Sequence, residues 1–248
     1  MIRILATADI HSPEYLHLFL QSLNRVLSTP DLIVLAGDLV KKNNVYAFRP
    51  VYDALTKKFP GTPIIAVFGN EEYRGFEEKY LELYQEIRWL NDEYIILTLK
   101  NMRVGIIGTR GALDRPTPWQ SKNILGIHRY YLELPRRIDR MAKKLRSEGI
   151  EHLILLTHYG VTYKNLRGEP EKVWPYLASS RIEKVLLENR FDIVIHGHAH
   201  NAVIDRIEID SVEIYNVSLP ARKKIVEIIY EPSTQKHLKG LDKWLYHK

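Results

Sequence analysis

Five short aliphatic runs in this chain each stop at a residue that a packed core does not accept. Ile2–Ala8 leads into Asp9-Ile10-His11, Leu32–Ala36 into Gly37-Asp38, and Ile64–Phe68 into Gly69-Asn70-Glu71-Glu72. Leu153–Thr157 stops at His158, and Ile193–Ile195 at His196-Gly197-His198-Ala199-His200. Short, near-continuous apolar runs are strands buried on both faces, the pattern of a parallel sheet. Open α/β sheets bind ligands at the carboxyl ends of their strands. Seven oxygen and nitrogen donors therefore converge on one edge: Asp9, His11, Asp38, Asn70, His158, His198 and His200.

The stretches between the runs agree with this frame. Leu16–Leu27 has apolar residues at helical spacing, Val45–Phe59 reads as a helix ended by Pro60-Gly61, and Phe76–Trp89 reads as helical again. A βαβαβ order predicts a parallel sheet with helices packed on it. Tyr94–Leu99 and Arg103–Ile107 flank Lys100-Asn101-Met102 as an antiparallel hairpin. Arg110 to Ile127 reads as a long ordered loop. Pro135 suits the first turn of a helix and Gly149 its C-terminal cap. Tyr159–Ala178 is a second loop and Arg181–Asn189 a short helix. Val203–Ile209, Val212–Val217 and Ile225–Ile229 are expected as an antiparallel run in a second sheet. The economical solution is α/β: a layered α/β/β/α sandwich of two mixed sheets flanked by helices. It is expected over residues 1–232, with 233–248 as a docked helix or a homodimer contact.

Composition removes several classes of chemistry. Cysteine is absent, which excludes disulfides, thiolate metal sites and cysteine nucleophiles. No apolar run approaches the ~18 residues of a membrane span. The N-terminus enters a strand without the features of a secretory leader, so the cytoplasm is the expected location. A net charge of +6 permits an anionic substrate without requiring one.

Taken singly, the seven donors have ordinary explanations. An Asp at a strand end caps a helix, and a lone His158 on a strand suits a hydrogen-bonded core position. Together they make a donor set for two divalent cations, with Asp38 as the natural bridge. Imidazole, carboxylate and amide ligands without sulfur suit Mn first, with Fe, Co, Ni or Zn as alternatives. Two such ions activate a water and clamp a phosphoryl oxygen. Gly37, Gly69 and Gly197 let backbone approach the ions closely.

Asp9-Ile10-His11, Gly37-Asp38, Gly69-Asn70-Glu71-Glu72, His158 and Gly197-His198-Ala199-His200 occur in this order over roughly residues 1–220. The set resembles the calcineurin-like metallophosphoesterase family. That resemblance implies one metal on Asp9, His11, Asp38 and His200, and a second on Asp38, Asn70, His158 and His198. It also implies a bridging hydroxide as nucleophile and the double-sandwich fold. Glu71 stands where the family usually has the His that contacts the phosphate and protonates the leaving group. Asn70 and Glu71 are thus the candidate catalytic residues. A carboxylate cannot donate a proton, so Glu71 predicts a preference for phosphodiesters, nucleotides and short nucleic acids among them, and for good leaving groups.

The remaining candidates carry weaker signals. His196 reads as a packed, hydrogen-bonded residue. Arg110 follows a strand end and is the candidate phosphate contact. Arg136, Arg140, Lys143 and Lys144 form a basic helical face, which reads as a solvated surface ahead of a nucleic-acid track. Two other functional readings stand beside the phosphodiesterase: a metal-loaded scaffold without catalysis, and a nuclease.

Overall fold

The computed structural model describes residues 1–231; the expectation for 233–248 lies outside them. The chain alternates strands and helices through its first 90 residues. In order these are β1 (Ile2–Thr7), α1 (Leu16–Arg25), β2 (Leu32–Ala36), a 3₁₀ turn over Val45–Phe48, α2 (Arg49–Lys58), β3 (Ile64–Val67), α3 (Glu77–Leu83) and β4 (Ile87–Leu90). The hairpin β5 (Glu93–Leu99) and β6 (Met102–Thr109) opens a second sheet. It continues through α4 (Pro118–Asn123), α5 (Ile127–Ser147), β7 (His152–Thr157), α6 (Ser180–Glu188), β8 (Ile193–His196), β9 (Arg206–Ile209) and β10 (Val212–Asn216). A short helix, α7 (Leu219–Arg222), leads to β11 (Val226–Tyr230).

The first sheet has the order β11-β1-β2-β3-β4 and the second β5-β6-β7-β8-β10-β9. Strands β1 to β4 are mutually parallel, as are β6, β7, β8 and β10; β11, β5 and β9 are antiparallel edges. Alternation along each strand sorts the core into three layers. Ile4, Ala6, Val34 and Val67 face Val104, Ile106, Ile154 and Ile195 between the sheets. Leu5, Ile33 and Leu35 pack outward on Phe19, Leu23, Val51 and Leu55 of α1 and α2. Leu153, Leu155 and Val194 pack on Leu134, Ile138 and Leu145 of α5 and Ile182 of α6. This is the expected α/β/β/α sandwich. Among the described residues, no helix is long and apolar enough to cross a membrane.

Three elements differ from the sequence reading. The helix expected over Phe76–Trp89 stops at Leu83, and Ile87–Leu90 forms β4 beside β3. Tyr80, Tyr84 and Ile87 have helical spacing and all enter the same core, which disguises the change of element. Trp89 then stacks on Phe68 of the neighbouring strand end at 4.7 Å. Second, α5 begins at Ile127, with Pro135 inside it. An interior proline costs about 3 kcal/mol. Ile127, Tyr131 and Leu134 are buried upstream of it, each contributing roughly 1.5–3 kcal/mol, so burial wins. The loop expected from Arg110 to Ile127 likewise contains α4, held by a reciprocal Thr117–Gln120 capping box. Third, the strands near the end are not one antiparallel run. β10 lies parallel to β8, and β11 crosses back to pair with β1. Gly149 caps α5 as expected, with φ +76°.

Candidate metal centre

Both sheets present the carboxyl ends of their parallel strands to one cleft. Asp9 and His11 follow β1, Asp38 follows β2, Asn70 follows β3, His158 follows β7, and His198 and His200 follow β8. Backbone bonds lock these strand ends together: Asp9 N–H to Gly37 O and His11 N–H to Asp38 O, both 2.9 Å, and Gly197 N–H to His158 O, 3.1 Å. Four of the seven residues have left-handed backbones: Asp9 (φ 56°), His11 (42°), Asp38 (50°) and His198 (68°). Non-glycine residues adopt this region only where the surroundings impose it, and such strain gathers at functional sites. Gly69 fits for a different reason, since a Cβ there would run into the Asp38 carboxylate.

The donors fall into two groups, Asp9 with His11 and His200, and Asp38 with His158 and His198. In the first, His11 Nε2 and His200 Nε2 face each other at 3.5 Å. Asp9 Oδ1 lies 3.2 Å from His200 Nε2 yet is buried without a hydrogen bond. In the second, His158 Nδ1–H donates to Ala36 O at 2.9 Å. Nε2, the nitrogen left for a metal, faces Asn70 Oδ1 at 3.1 Å and Asp38 Oδ2 at 3.4 Å. Oxygen and nitrogen atoms that converge in a buried site need positive charge among them, a proton on His158 or a metal ion in its place. His198 Nε2–H donates to Tyr176 O at 3.3 Å, leaving Nδ1 as its lone pair. Fixing one imidazole nitrogen on a backbone carbonyl is how proteins orient metal-binding histidines. The residues present therefore fit two hard or borderline cations.

Electrostatics point the same way. Burial alone would raise Asp9 and Asp38, but the surrounding imidazoles hold both carboxyls below their ordinary value. Burial lowers His158, yet the Asp38 and Asp9 carboxylates outweigh it and carry His158 up to about 9. Burial, reinforced by His158, pushes His198 down to about 3. Two buried carboxylates thus call for positive charge in the cleft.

Around these donors lies a second tier. Glu72 is 1% exposed and accepts four backbone N–H groups: Asp38 at 2.9 Å, Leu39 at 2.7 Å, Val40 at 3.2 Å and Gly69 at 2.6 Å. It ties the Asp38 loop to the Asn70 loop. Burial and the Asp38 charge push it up to about 7, against the pull of those donors. Its sequence signal is its place two residues after Asn70, at the acidic position of the stretch that carries the family resemblance. Glu71 lines the cavity next to the centre, with Oε2 accepting from Lys42 N–H at 2.5 Å and its own N–H donating to Asp38 Oδ1 at 2.7 Å. Arg110 is buried beside the same loop. Its guanidinium donates to Gly69 O, to Glu72 O at 2.5 Å and to Glu77 Oε1 at 2.8 Å. His196 is fully buried between Gly197 O and the Asn165 amide. On the basic helix, Arg137 and Lys143 pair with Asp92 and Asp139, while Arg136 and Arg140 are exposed.

The profile of calcineurin-like phosphoesterases matches residues 2–202. No curated protein sequence matches the chain. Among solved structures, the phosphopantetheinyl hydrolase of Mycobacterium tuberculosis is 13% identical with a TM-score of 0.65, covering 94% of this chain and 96% of its own. A 5'-nucleotidase precursor of Thermus thermophilus is 14% identical with a TM-score of 0.55, over 93% of this chain and 51% of its own. A dimetal phosphatase of Danio rerio is 14% identical with a TM-score of 0.52, over 87% of this chain and 86% of its own. These similarities are of fold. The matched profile spans most of the chain and every one of the seven donors, so the protein belongs to the calcineurin-like phosphoesterase family.

Proposed function

We propose that the protein is a dimetal phosphoesterase that prefers phosphodiesters, nucleotides and short nucleic acids among them. One ion is held by Asp9, His11, Asp38 and His200, the other by Asp38, Asn70, His158 and His198. The observation that carries this reading is Asp38 Oδ2, which lies 3.8 Å from His11 Nε2 and 3.4 Å from His158 Nε2. One oxygen thus stands between the two donor groups. Mn is the first choice, with Fe, Ni, Co and Zn suited to the same ligands. When bound, such a pair supplies a nucleophilic water at neutral pH and positive charge for the phosphoryl oxygens. Asn70 contributes an amide oxygen, with the loop that carries it held by Glu72 and Arg110. Arg110 acts by this positioning, because its terminal nitrogens already bond protein acceptors.

Glu71 supports the preference for diesters. Glu71 lines the cavity beside the centre, where a carboxylate repels a phosphate dianion more than a diester monoanion. The test compares an aryl diester and an alkyl monoester on chelated protein resupplied with Mn. Turnover is expected for the diester and lost again with chelator. Glu71→His should raise the monoester rate relative to the diester rate. A wild type that prefers alkyl monoesters, or an unchanged ratio in the variant, sinks the diester argument. Absence of turnover with every metal, on protein that binds two ions, favours the scaffold reading instead.

A further inference from the structure

Next to the metal-ligating groups lies a cavity of about 700 Å³, within the range of small-molecule sites. Asn70 and His198 are on its wall, so it is continuous with the centre. Eleven large apolar side chains are exposed among the described residues. Four of them, Tyr73, Phe76, Trp119 and Leu125, line this one cavity. Trp119 is 64% exposed. Gathered exposed apolar surface marks a binding site where scattered residues do not. The wall is preformed. Gln120, next to Trp119, closes the capping box of α4 and donates from its amide to Tyr159 Oη at 3.1 Å.

The same cavity contains a cation that the metal centre does not use. Arg74 lies on its lining, with the guanidinium 4.5 Å over the Tyr130 ring. Its neighbours are tyrosines: Tyr130, which is also a hydrogen-bond partner, Tyr131 and Tyr159. A guanidinium has five N–H donors, so a bond to the Tyr130 hydroxyl leaves others for acceptor atoms of a ligand. Three of the four exposed side chains are aromatic, and aromatic faces take stacked rings. A plain alkyl chain would use neither the stacking faces nor the donors of Arg74.

We propose that this cavity is the subsite for the organic half of the ester, a flat ring system of nucleoside size that lies on Trp119 with acceptor atoms toward Arg74. The proposal rests on the phosphoesterase reading for the ester itself. Its test is independent of turnover, because the subsite lies on protein residues alone.

Adenosine, which carries no phosphate, is titrated into metal-free protein, followed by tryptophan fluorescence and by calorimetry. Saturable binding with quenching is expected. Trp119→Ala should weaken it about tenfold, Trp119→Phe should restore most of it, and Arg74→Gln should weaken it several-fold. Trp119 is exposed, so its variants fold as the wild type does. The loaded enzyme should then show a KM for a nucleoside-bearing diester that rises in Trp119→Ala, with kcat little changed. An absence of adenosine binding, unaltered binding in both Ala and Gln variants, or tighter binding of n-octanol than of adenosine overturns the subsite. If adenosine binds as described and no ester is hydrolysed, the phosphoesterase reading fails while the subsite stands.

Discussion

Replacing Glu72 by Gln changes one buried oxygen into an amide nitrogen and leaves the shape intact. Oε1 accepts from Leu39 and Val40 N–H, and Oε2 from Asp38 and Gly69 N–H. Whichever way the amide turns, two of these four N–H groups then meet a donor. An unsatisfied buried donor costs roughly 1–3 kcal/mol, so two cost about 4 kcal/mol. Relief of the buried charge and of its repulsion by Asp38, which together raise Glu72 in the wild type, offsets about 1 kcal/mol of this. The net loss is about 3 kcal/mol. For a domain of this size that is a fall in Tm of about 6–12 °C. Because the same bonds aim Asp38 and the Asn70 loop, metal affinity should also fall, by about 10–100-fold as for other outer-shell losses. Thermal unfolding of the metal-free protein measures the first effect and Mn titration calorimetry the second. A variant with an unchanged Tm refutes the hydrogen-bond argument. A variant that is destabilised but binds Mn normally refutes the link between Glu72 and the metal site.

Two further perturbations address other parts of the molecule. Asp38→Asn should weaken both ions together by more than about tenfold and remove most turnover; elemental analysis that finds two tightly held ions and normal rates excludes the bridge. Asp114 accepts from Tyr163 Oη, Ser179 Oγ, Ser180 N and Oγ, and Arg181, so Asp114→Asn should cost about 2 kcal/mol at neutral pH. Burial raises that carboxyl but these donors outweigh it and hold it below 3.8. The stabilisation is therefore complete above pH 3.8 and is lost as pH falls through the folded value. Urea unfolding at several pH values should show the wild-type and variant curves drawing together in acid; a constant gap contradicts the assignment.

The donor set was legible because each member sits directly after an aliphatic run, where chain order alone tells which edge it occupies. Periodicity carried β1, β2, β3, β7 and β8 in the same way. It failed where one spacing served two elements. Tyr80, Tyr84 and Ile87 keep a helical interval across the junction of α3 and β4, and only the stacking of Trp89 on Phe68 distinguishes the strand. Pro135 misled because local preference was set against tertiary burial and lost. The return of β11 to β1 is a pairing between residues at least 220 positions apart, about which local pattern is silent. Glu72 is legible as an acidic neighbour of Asn70, but its four donors include three from a segment more than 30 residues earlier.

That return of β11 also sets the order in which the molecule can be completed. β1 lies between β2 and β11, so during synthesis it has a neighbour on one side only until residues 226–230 have left the ribosome. Asp9 depends on this strand, and its partners His198 and His200 lie close to the end of the same interval. Contacts of such sequence separation form slowly, because a long loop must close before they reward it. The early helices and strands can collapse while the chain is still growing. The metal centre cannot, for each donor group joins an early residue, Asp9 or Asp38, to a late one, His200 or His198, and closes only after the later one is made.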